Sequence, residues 1–470
     1  MDSLYMPLVA KKYDTKIVSN NFINALWALG YRTEDSWVAF IQMMCISGIF
    51  GSPIPKLVDY DQAIRLLNDP MLLLSNDAAQ EASHLSVAAY LEAIDELGQK
   101  RWKELRGAGE RQQSPGDHKL SEHLEYITSL LKRLGMVDEI FPEDDKFGKI
   151  TAFLNLGAAQ DTVEERTCYL KRLIDYQKVL YPLSESKVYL LGGNRKLWPE
   201  TSLTTNSSKP LVNGEPLALQ LVAERIYSKY LVGEVKDLDL IEIIKNAGID
   251  RDIAIAGIAK IIQEKIVDRV FACMKNEVIR SRAEIVSEVE GKYNISWPTE
   301  SDLQAKIAVL YGIYDAIVVM GEKNQGLDRP DTMSTAEKFA DVFAAEHRND
   351  LICVVSNQPF AKRQSLLFVK QLYSKVGNPL DTIVTAAGKN QGNDVVQLGV
   401  QEFLSYIHAA TDIAKSGALE DYVNEELDHE FYVSIGGSTN STDNTGTLEN
   451  NVELGNESCV GGAADGADNV

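Results

Sequence analysis

The sequence contains few cysteines and histidines, and none of them has the spacing of a metal site. Five cysteines and six histidines are scattered over 470 residues, without a CxxC pair. Zinc sites need thiolates and imidazoles at short, regular spacing, so we predict no metal site. We interpret the cysteines as buried free thiols in a reducing compartment, and we expect a cytoplasmic location.

The motifs of the common nucleotide-binding and hydrolase sites are also missing. The chain has no GxGxxG, no GxxxxGKS/T and no GxSxG segment. These absences exclude the standard dinucleotide fingerprint, the P-loop and the hydrolase nucleophile elbow. None of the candidate segments described below contains a histidine, so any acid–base chemistry there would depend on carboxylates.

Basic residues are scarce relative to acidic ones. The chain has 47 Lys and Arg against 68 Asp and Glu, and its net charge is −21. Nucleic-acid binding depends on clustered Lys and Arg, so we expect no nucleic-acid partner. Residues 416–470 hold twelve acids and no Lys or Arg. Because this segment has too few apolar residues to form a core, we predict a mostly disordered acidic tail.

No apolar run is long enough for a membrane span. Residues 37–55 are uncharged, but Gln, Ser, Gly and Pro interrupt them. Their apolar part falls short of the roughly 20 residues that a spanning helix needs. The amino terminus also lacks the basic and then apolar pattern of a signal peptide. We therefore predict a buried helix that ends near Gly51, and no membrane partner.

Five short apolar runs predict a parallel β-sheet. They are residues 150–156, 187–191, 316–320, 351–355 and 382–385. Each run is rich in β-branched or aromatic residues and shows little polar alternation, as strands buried on both faces do. Helix-like stretches follow most of them. The predicted fold class is therefore α/β, with helices covering both faces of a parallel sheet.

The composition divides the chain into three predicted parts. Residues 1–145 form a helical N-terminal region, and residues 146–415 form the α/β domain. Residues 416–470 are the tail. A helical insertion at about residues 203–295 interrupts the α/β domain, and its long apolar periodicity is typical of core-packing or dimer helices.

The carboxyl ends of the predicted strands locate the candidate ligand site. Gly157 follows the first run, Gly192 and Gly193 follow the second, and Arg195 comes two residues later. Open parallel sheets bind ligands beyond these strand ends, and glycine allows close backbone approach. A plain turn is the alternative interpretation at each of these positions.

Further candidates lie at helix starts later in the chain. Glu300 is in the first turn of a predicted helix, where a carboxylate also suits the helix dipole, so capping is its structural alternative. Thr335 and Glu337 open a helix after a long polar loop, which could equally be solvated surface. Arg363 lies one turn into another helix, where it could bind a carboxylate or phosphate or be solvated.

Taken in order, these segments resemble the SanA/ElyC/YdcF-like family, a bacterial domain of poorly defined biochemistry. The matching segments are NLGAAQDTVEER with Gly157 and Arg166, LLGGNR with Gly192 and Gly193, PTESD with Glu300, STAEKFA with Thr335 and Glu337, and SNQPFAKRQ with Arg363. The resemblance covers about residues 147–390, apart from the insertion. Lys338 and Phe360 depart from the family pattern, which has Asn and His there. An activity that required either residue is in doubt for this chain.

The resemblance implies a Rossmann-like three-layer domain. It also implies a link to envelope processes and, from one branch of the family, S-adenosylmethionine as a candidate cofactor.

Three functional hypotheses remain open at this point. The first is an enzyme with an acid from Glu300 or Glu337, which acts on a nucleotide-like or other polar small molecule. The second is a non-catalytic binding or regulatory module, and the third is an interaction protein that uses the insertion and the acidic tail. The predicted ligand-binding residues are Gly157, Arg166, Gly192, Gly193, Arg195, Thr335 and Arg363. The sequence predicts neither the reaction nor the oligomeric state.

Overall fold

The structure of the protein is a computed structural model. It describes residues 21–49, 57–69, 87–106, 120, 122–197, 200–203, 210–213, 216–275, 282–322, 332–346, 351–377, 382–388, 395–419 and 421. The predicted tail therefore lies almost entirely outside the described residues.

The described elements are fifteen helices and seven strands. The helices are α1 (Asn21–Ala28), α2 (Glu34–Ile46), α3 (Tyr60–Asn68), α4 (Val87–Arg106), α5 (Leu124–Arg133), α6 (Asp144–Phe147), α7 (Gln160–Leu180), α8 (Pro216–Leu231), α9 (Leu238–Asn246), α10 (Arg251–Lys275), α11 (Arg282–Tyr293), α12 (Glu300–Leu310), α13 (Thr332–Glu346), α14 (Ala361–Val376) and α15 (Val395–Lys415). The strands are β1 (Ile150–Leu156), β2 (Lys187–Leu191), β3 (Glu200–Leu203), β4 (Pro210–Asn213), β5 (Ile317–Val318), β6 (Leu351–Asn357) and β7 (Ile383–Gly388).

The chain divides into two compact units. Unit 1 contains residues 1–139, 358–373 and 389–470, and unit 2 contains residues 140–357 and 374–388. The boundary at residue 139 is close to the predicted boundary at residue 145. The carboxyl-terminal helices are divided differently, because most of α14 and all of α15 group with the N-terminal helices.

Unit 1 is helical. Helix α2 packs against α3 and α5, and α15 packs against α4 and α5. Thr33 caps α2 through a reciprocal capping box with Ser36. Every residue of α2 from Ser36 to Ile46 is buried, which confirms the predicted buried helix, although it ends earlier than Gly51. No helix among the residues that the structure describes is long and apolar enough to cross a membrane.

Unit 2 is built on a five-stranded parallel sheet. The strand order is β5-β2-β1-β6-β7, and every neighbouring pair is parallel. From β1 the chain adds strands in one direction to β5, and then returns to add β6 and β7 on the other side of β1. The predicted parallel sheet is confirmed, and each of the five apolar runs overlaps one of its strands.

Helices cover both faces of this sheet. Side chains of α7 and α12, among them Leu170 and Ala308, share one apolar cluster with Phe153, Val188 and Leu190. The intervening residue of β2, Tyr189, points to the other face and meets Phe339 of α13 edge to face at 5.3 Å. This alternation follows from the pleat of the strand.

The insertion has its own apolar cluster. Strands β3 and β4 form an antiparallel hairpin, and buried residues of α8 to α11 pack together beside it. Asp237 caps α9 and also accepts hydrogen bonds from Lys265, Lys292 and Tyr293 at 2.8–2.9 Å. Burial opposes ionisation of this carboxyl, but the three donors outweigh it and hold the pKa of Asp237 well below its usual range.

Helix α7 begins at Gln160 after Ala159, which offers no side-chain cap. Helix α14 begins at Ala361. The prediction of buried free thiols is confirmed for Cys45 and Cys353, but it is wrong for Cys168, which is disulfide-bonded.

Candidate functional site

Glycines at the ends of three neighbouring strands allow helices to approach the sheet edge of unit 2. A Cβ atom on Gly192 would lie 2.6 Å from the Cα of Ser301, in the first turn of α12. A Cβ atom on Gly321, which follows β5, would meet the hydroxyl of Thr335 and lie 3.1 Å from its Cα. Real Cβ atoms do not approach other atoms so closely, so these positions require glycine. The starts of α12 and α13 are therefore held against the carboxyl edge of the sheet.

The strand ends are also joined by backbone hydrogen bonds. The Gly157 N–H donates to the Leu191 carbonyl at 2.8 Å, and the Gly321 N–H donates to the Gly192 carbonyl at 2.9 Å. Gly193 pairs with Gly321 beyond the ends of β2 and β5. These bonds continue the pairing by one to three residues past the strands and hold the predicted glycines in one continuous edge.

Glu300 and Arg195 meet at this edge. The Glu300 N–H donates to the Arg195 carbonyl at 2.9 Å, and the Arg195 Nε lies 3.9 Å from a carboxylate oxygen of Glu300. The other oxygen, Oε1, would lie 3.2 Å from a Cβ atom on Gly157. Thr299, not Glu300, caps α12 through a capping box with Asp302. The Glu300 carboxylate is thus directed along the strand ends, and the predicted helix start is confirmed.

Arg166 lies where the strand order reverses. It extends from α7 and is only 3% exposed. Its Nη1 donates to the Leu156 carbonyl at 2.7 Å and to the Gly157 carbonyl at 3.1 Å, both at the end of β1. Its Nε donates to the Asn357 side-chain oxygen at the end of β6. The guanidinium therefore bridges the two strands between which ligands bind in open α/β sheets.

The Arg166 guanidinium has spare donors. Five N–H groups are available to an arginine, and the three bonds above use only those of Nε and Nη1. Among the described residues, nothing accepts a hydrogen bond from Nη2, and no carboxylate forms an ion pair with Arg166. Burial lowers the pKa of Arg166 to about 10, while the more distant charges of Glu300 and Glu165 act against that change.

A second polar contact supports the end of β6. The Asn357 amide nitrogen donates to Glu165 at 3.2 Å, so Asn357 is held between two neighbouring residues of α7. Burial raises the pKa of Glu165, with a further contribution from Asp161, and Arg166 opposes both effects.

Buried polar side chains near Gly157 join the same elements through hydrogen bonds. The Asn155 side chain donates to the Thr167 hydroxyl at 2.9 Å, and Gln304 of α12 donates to the Asn155 carbonyl at 2.7 Å. All three residues are fully buried. Because these bonds join β1, α7 and α12, they position Arg166 and Glu300 relative to the strand end.

The structure brings most of the predicted site residues together. Gly157, Arg166, Gly192, Gly193, Arg195, Glu300 and Thr335 lie at one sheet edge of unit 2. Glu337 is exposed on α13, and the contacts that unite the others do not include it. Arg363 belongs to unit 1, where its Nε donates to the buried carboxylate of Glu402 at 2.6 Å.

The predicted site residues include neither Asn357 nor Glu165. A signal for the inward direction of Arg166 was nevertheless present. Arg166 lies three residues after Val163 and four before Leu170, so all three share one helix face. Both apolar residues are fully buried.

Comparisons with protein-family models, with curated proteins and with solved structures give no match for this chain. Within the described ranges, no group of three or more His, Cys, Asp and Glu side chains could hold a metal ion.

Proposed function

We propose that unit 2 is a Rossmann-like domain that binds a small polar molecule with an anionic group. The observation that carries this proposal is the buried guanidinium of Arg166 at the reversal point of the strand order, which forms no ion pair with any residue that the structure describes. Buried charges in proteins are normally paired or bound to an ion, because isolated burial is costly. A ligand carboxylate or phosphate at Nη2 would supply the missing negative charge.

The surrounding groups support the same ligand chemistry. Helix α7 begins three residues after Gly157 and has no side-chain cap, so its first N–H groups remain available for an anion. Arg195 is 28% exposed at its side chain and adds a second, more accessible positive charge. An anionic group near Gly157 would meet both charges and these amide groups.

The same edge offers one carboxylate for acid–base chemistry. The Glu300 side chain is 13% exposed and adjoins both Gly157 and Arg195. In the enzymatic form of this proposal, Glu300 transfers a proton to or from the bound molecule. We also propose that the chain is related to the SanA/ElyC/YdcF-like family. This relationship would make S-adenosylmethionine a candidate cofactor and imply a link to envelope processes.

The first experiment measures thermal stabilisation of the full chain by inorganic phosphate, nucleotides, phosphosugars and S-adenosylmethionine. A ligand present at 100 times its Kd stabilises the folded state by about 2.7 kcal/mol. We expect at least one anionic compound to raise the Tm, and we expect Arg166→Lys to weaken its binding at least tenfold. Lysine keeps the charge but loses the fork that holds the two strand ends.

Arg172→Ala is the matched control for this experiment. Arg172 is an exposed arginine of the same helix and lies over the ring of Tyr169 at 5.6 Å. Its removal should leave ligand binding unchanged. Equal binding by wild type and Arg166→Lys, or no stabilisation by any anion, would refute the proposal. Once a ligand is found, turnover by the wild type that is lost in Glu300→Gln while binding is retained would favour an enzymatic function.

A specific observation also favours an interaction role for the insertion. Five apolar side chains between residues 231 and 253 are 59–103% exposed: Leu231, Val232, Leu238, Ile249 and Ile253. Exposed apolar side chains of this number in one short stretch are consistent with an interaction surface. Replacing Leu238 and Ile249 by Ser should abolish such an interaction in a partner pull-down while leaving anion binding intact.

A further inference from the structure

Strand β5 ends the parallel sheet of unit 2 on one side. It is an outer strand in the order β5-β2-β1-β6-β7, and among the described strands it pairs with β2 alone. The Val319 N–H donates to the Leu190 carbonyl at 2.9 Å. The Gly321 N–H donates to the Gly192 carbonyl, also at 2.9 Å. The segment from Ile317 to Gly321 therefore follows β2 beyond the two residues of β5 itself.

The backbone of this segment alternates between β2 and the open side of the sheet. Because the N–H groups of Val319 and Gly321 face β2, those of Ala316, Val318 and Met320 face away from it. In the part of the chain that the structure describes, the backbone groups of Val318 and Met320 form no hydrogen bond on that open side. A row of unpaired donors and acceptors of this kind is a template for another strand.

The side chains along this edge are apolar and partly exposed. Ile317, Val318 and Met320 are 39%, 46% and 42% exposed. Val309 and Leu310, at the end of α12, are 48% and 62% exposed. Edge strands are normally protected by shortness, charged residues, Pro or a bulge, and β5 is short, but residues 316–321 contain neither a charge nor a Pro. The edge thus combines unpaired backbone groups with an apolar surface, and both features favour pairing with another chain.

We propose that this edge pairs antiparallel with the same edge of a second copy of the chain, around a twofold axis at Val318. With this axis, Val318 lies opposite Val318 of the second copy, and Ala316 lies opposite Met320. Residues that face each other in this way exchange both of their N–H···O=C bonds, so the outward backbone groups of both copies are satisfied. The contact is isologous and closes after two copies. The two five-stranded sheets become one continuous sheet.

The distribution of charge favours a second copy as the occupant of this edge. The chain has a net charge of −21, so two copies can associate only where their acids stay apart. Asp315 and Glu322 flank the segment. In the proposed register, Asp315 lies opposite Gly321 and Glu322 lies opposite Tyr314, so no acid directly faces another acid. The uncharged segment between them offers no counter-ion to a charged peptide, whereas an identical segment matches its apolar character and its donors and acceptors.

The test measures the molar mass of the full chain by analytical ultracentrifugation over a range of concentrations. One strand edge and a few side chains form a small contact, so the measurement extends from about 1 to 300 μM to detect a dimer that dissociates on dilution. We expect the mass of the wild type to rise from 52.1 kDa towards twice that value. A wild type that stays monomeric throughout this range would overturn the proposal.

Two edge variants and two controls locate the contact. Val318→Pro removes one outward N–H but leaves the bonds to β2, since Pro is tolerated where the N–H of an edge strand faces solvent. Met320→Lys adds a charge that edge strands use against pairing. Each should raise the dissociation constant of the dimer at least tenfold, while circular dichroism shows that the fold is kept.

Leu183→Lys is the matched control, because Leu183 lies between α7 and β2 and is 97% exposed. It should leave the dissociation constant unchanged. Replacing Leu238 and Ile249 by Ser tests the exposed residues of the insertion and should also have no effect. Association that persists in both edge variants would overturn the proposal, and so would an equal loss of association in either control.

Discussion

Breaking the pair of Arg363 and Glu402 on one side should strongly destabilise unit 1. It joins α14 to α15, with 2.6 Å between Arg363 Nε and Glu402 Oε2. The Glu402 side chain is fully buried, and that of Arg363 is 14% exposed. Removing one member of such a pair leaves a charge buried without its counter-ion, which costs about 3 to 5 kcal/mol. We therefore expect Arg363→Met to destabilise unit 1 by about this amount.

Hydrogen exchange measured by mass spectrometry can assign this loss to one unit. A loss of about 3 kcal/mol corresponds to roughly a hundredfold faster exchange for amides that exchange through opening of that unit. Peptides from α15 should show this acceleration in Arg363→Met. Peptides from β1 in unit 2 report whether the change stays local.

Lys370→Met is the matched control, because Lys370 joins the same two helices. Its Nζ lies 2.6 Å from Asp412, but the two side chains are 35% and 27% exposed. Pairs with this much solvent contribute about 0 to 1 kcal/mol, so exchange in α15 should rise less than about fivefold. The combined change Arg363→Met and Glu402→Leu should restore much of the stability, since no buried charge remains. Equal exchange of α15 in Arg363→Met and Lys370→Met would refute the reasoning.

Three further predictions concern stability and pH. Gly192→Ala should destabilise unit 2 by about 1 to 3 kcal/mol, because its Cβ atom would overlap the backbone of Ser301. Gly291→Ala is the control in α11, where the added Cβ atom meets no neighbouring atom and should stabilise unit 2 by about 0.5 to 1 kcal/mol. Urea titration measures both variants, and an equal change in stability for Gly192→Ala and Gly291→Ala would contradict this prediction. Asp237→Asn should destabilise the insertion by about 1 to 3 kcal/mol at pH 7. The folded pKa of Asp237 is depressed, so the difference in free energy of unfolding between wild type and Asp237→Asn should be present above about pH 4 and shrink as the pH falls further. A difference that does not change with pH would refute this prediction. The hydrogen bond to Asp95 raises the pKa of His408 in the folded protein. The small stabilisation of the folded state by this bond should therefore be complete below about pH 6.5 and be lost as the pH rises through the folded pKa of His408. NMR titration of His408 measures that pKa.

Much of the sheet could be predicted from the sequence because its strands are buried on both faces. The run at residues 150–156 coincides with β1, in which Thr151 and Asn155 are polar and the other five residues are apolar. Strand β5 departs from this pattern, because it is shorter than its predicted run, lies at the sheet edge and has both of its residues exposed. The carboxyl edge could be predicted in the same way, since glycines mark the strand ends.

The partners of the charged side chains could not be predicted locally. The pairing of Arg363 with Glu402 joins residues 39 positions apart, and the bond from Arg166 to Asn357 spans 191 positions. Whether a helical arginine faces a ligand, a carboxylate or solvent depends on such distant partners. The sequence therefore located the sheet edge correctly, and the helix-face spacing placed Arg166 on a buried face, but neither signal identified the group that Arg166 or Arg363 contacts.

The division of the chain has a consequence for how this protein can be dissected. The backbone passes from one unit to the other four times, near residues 139, 357, 373 and 388. No single cut therefore releases either unit as a continuous fragment. A fragment of residues 1–139 lacks the residues of α14 and α15 that complete its helical core, including Phe403 and Tyr406. A fragment of residues 140–388 retains α14 but loses Glu402, the counter-ion of Arg363. Truncations at these boundaries should yield insoluble fragments, whereas circular permutants keep every segment that the two cores require.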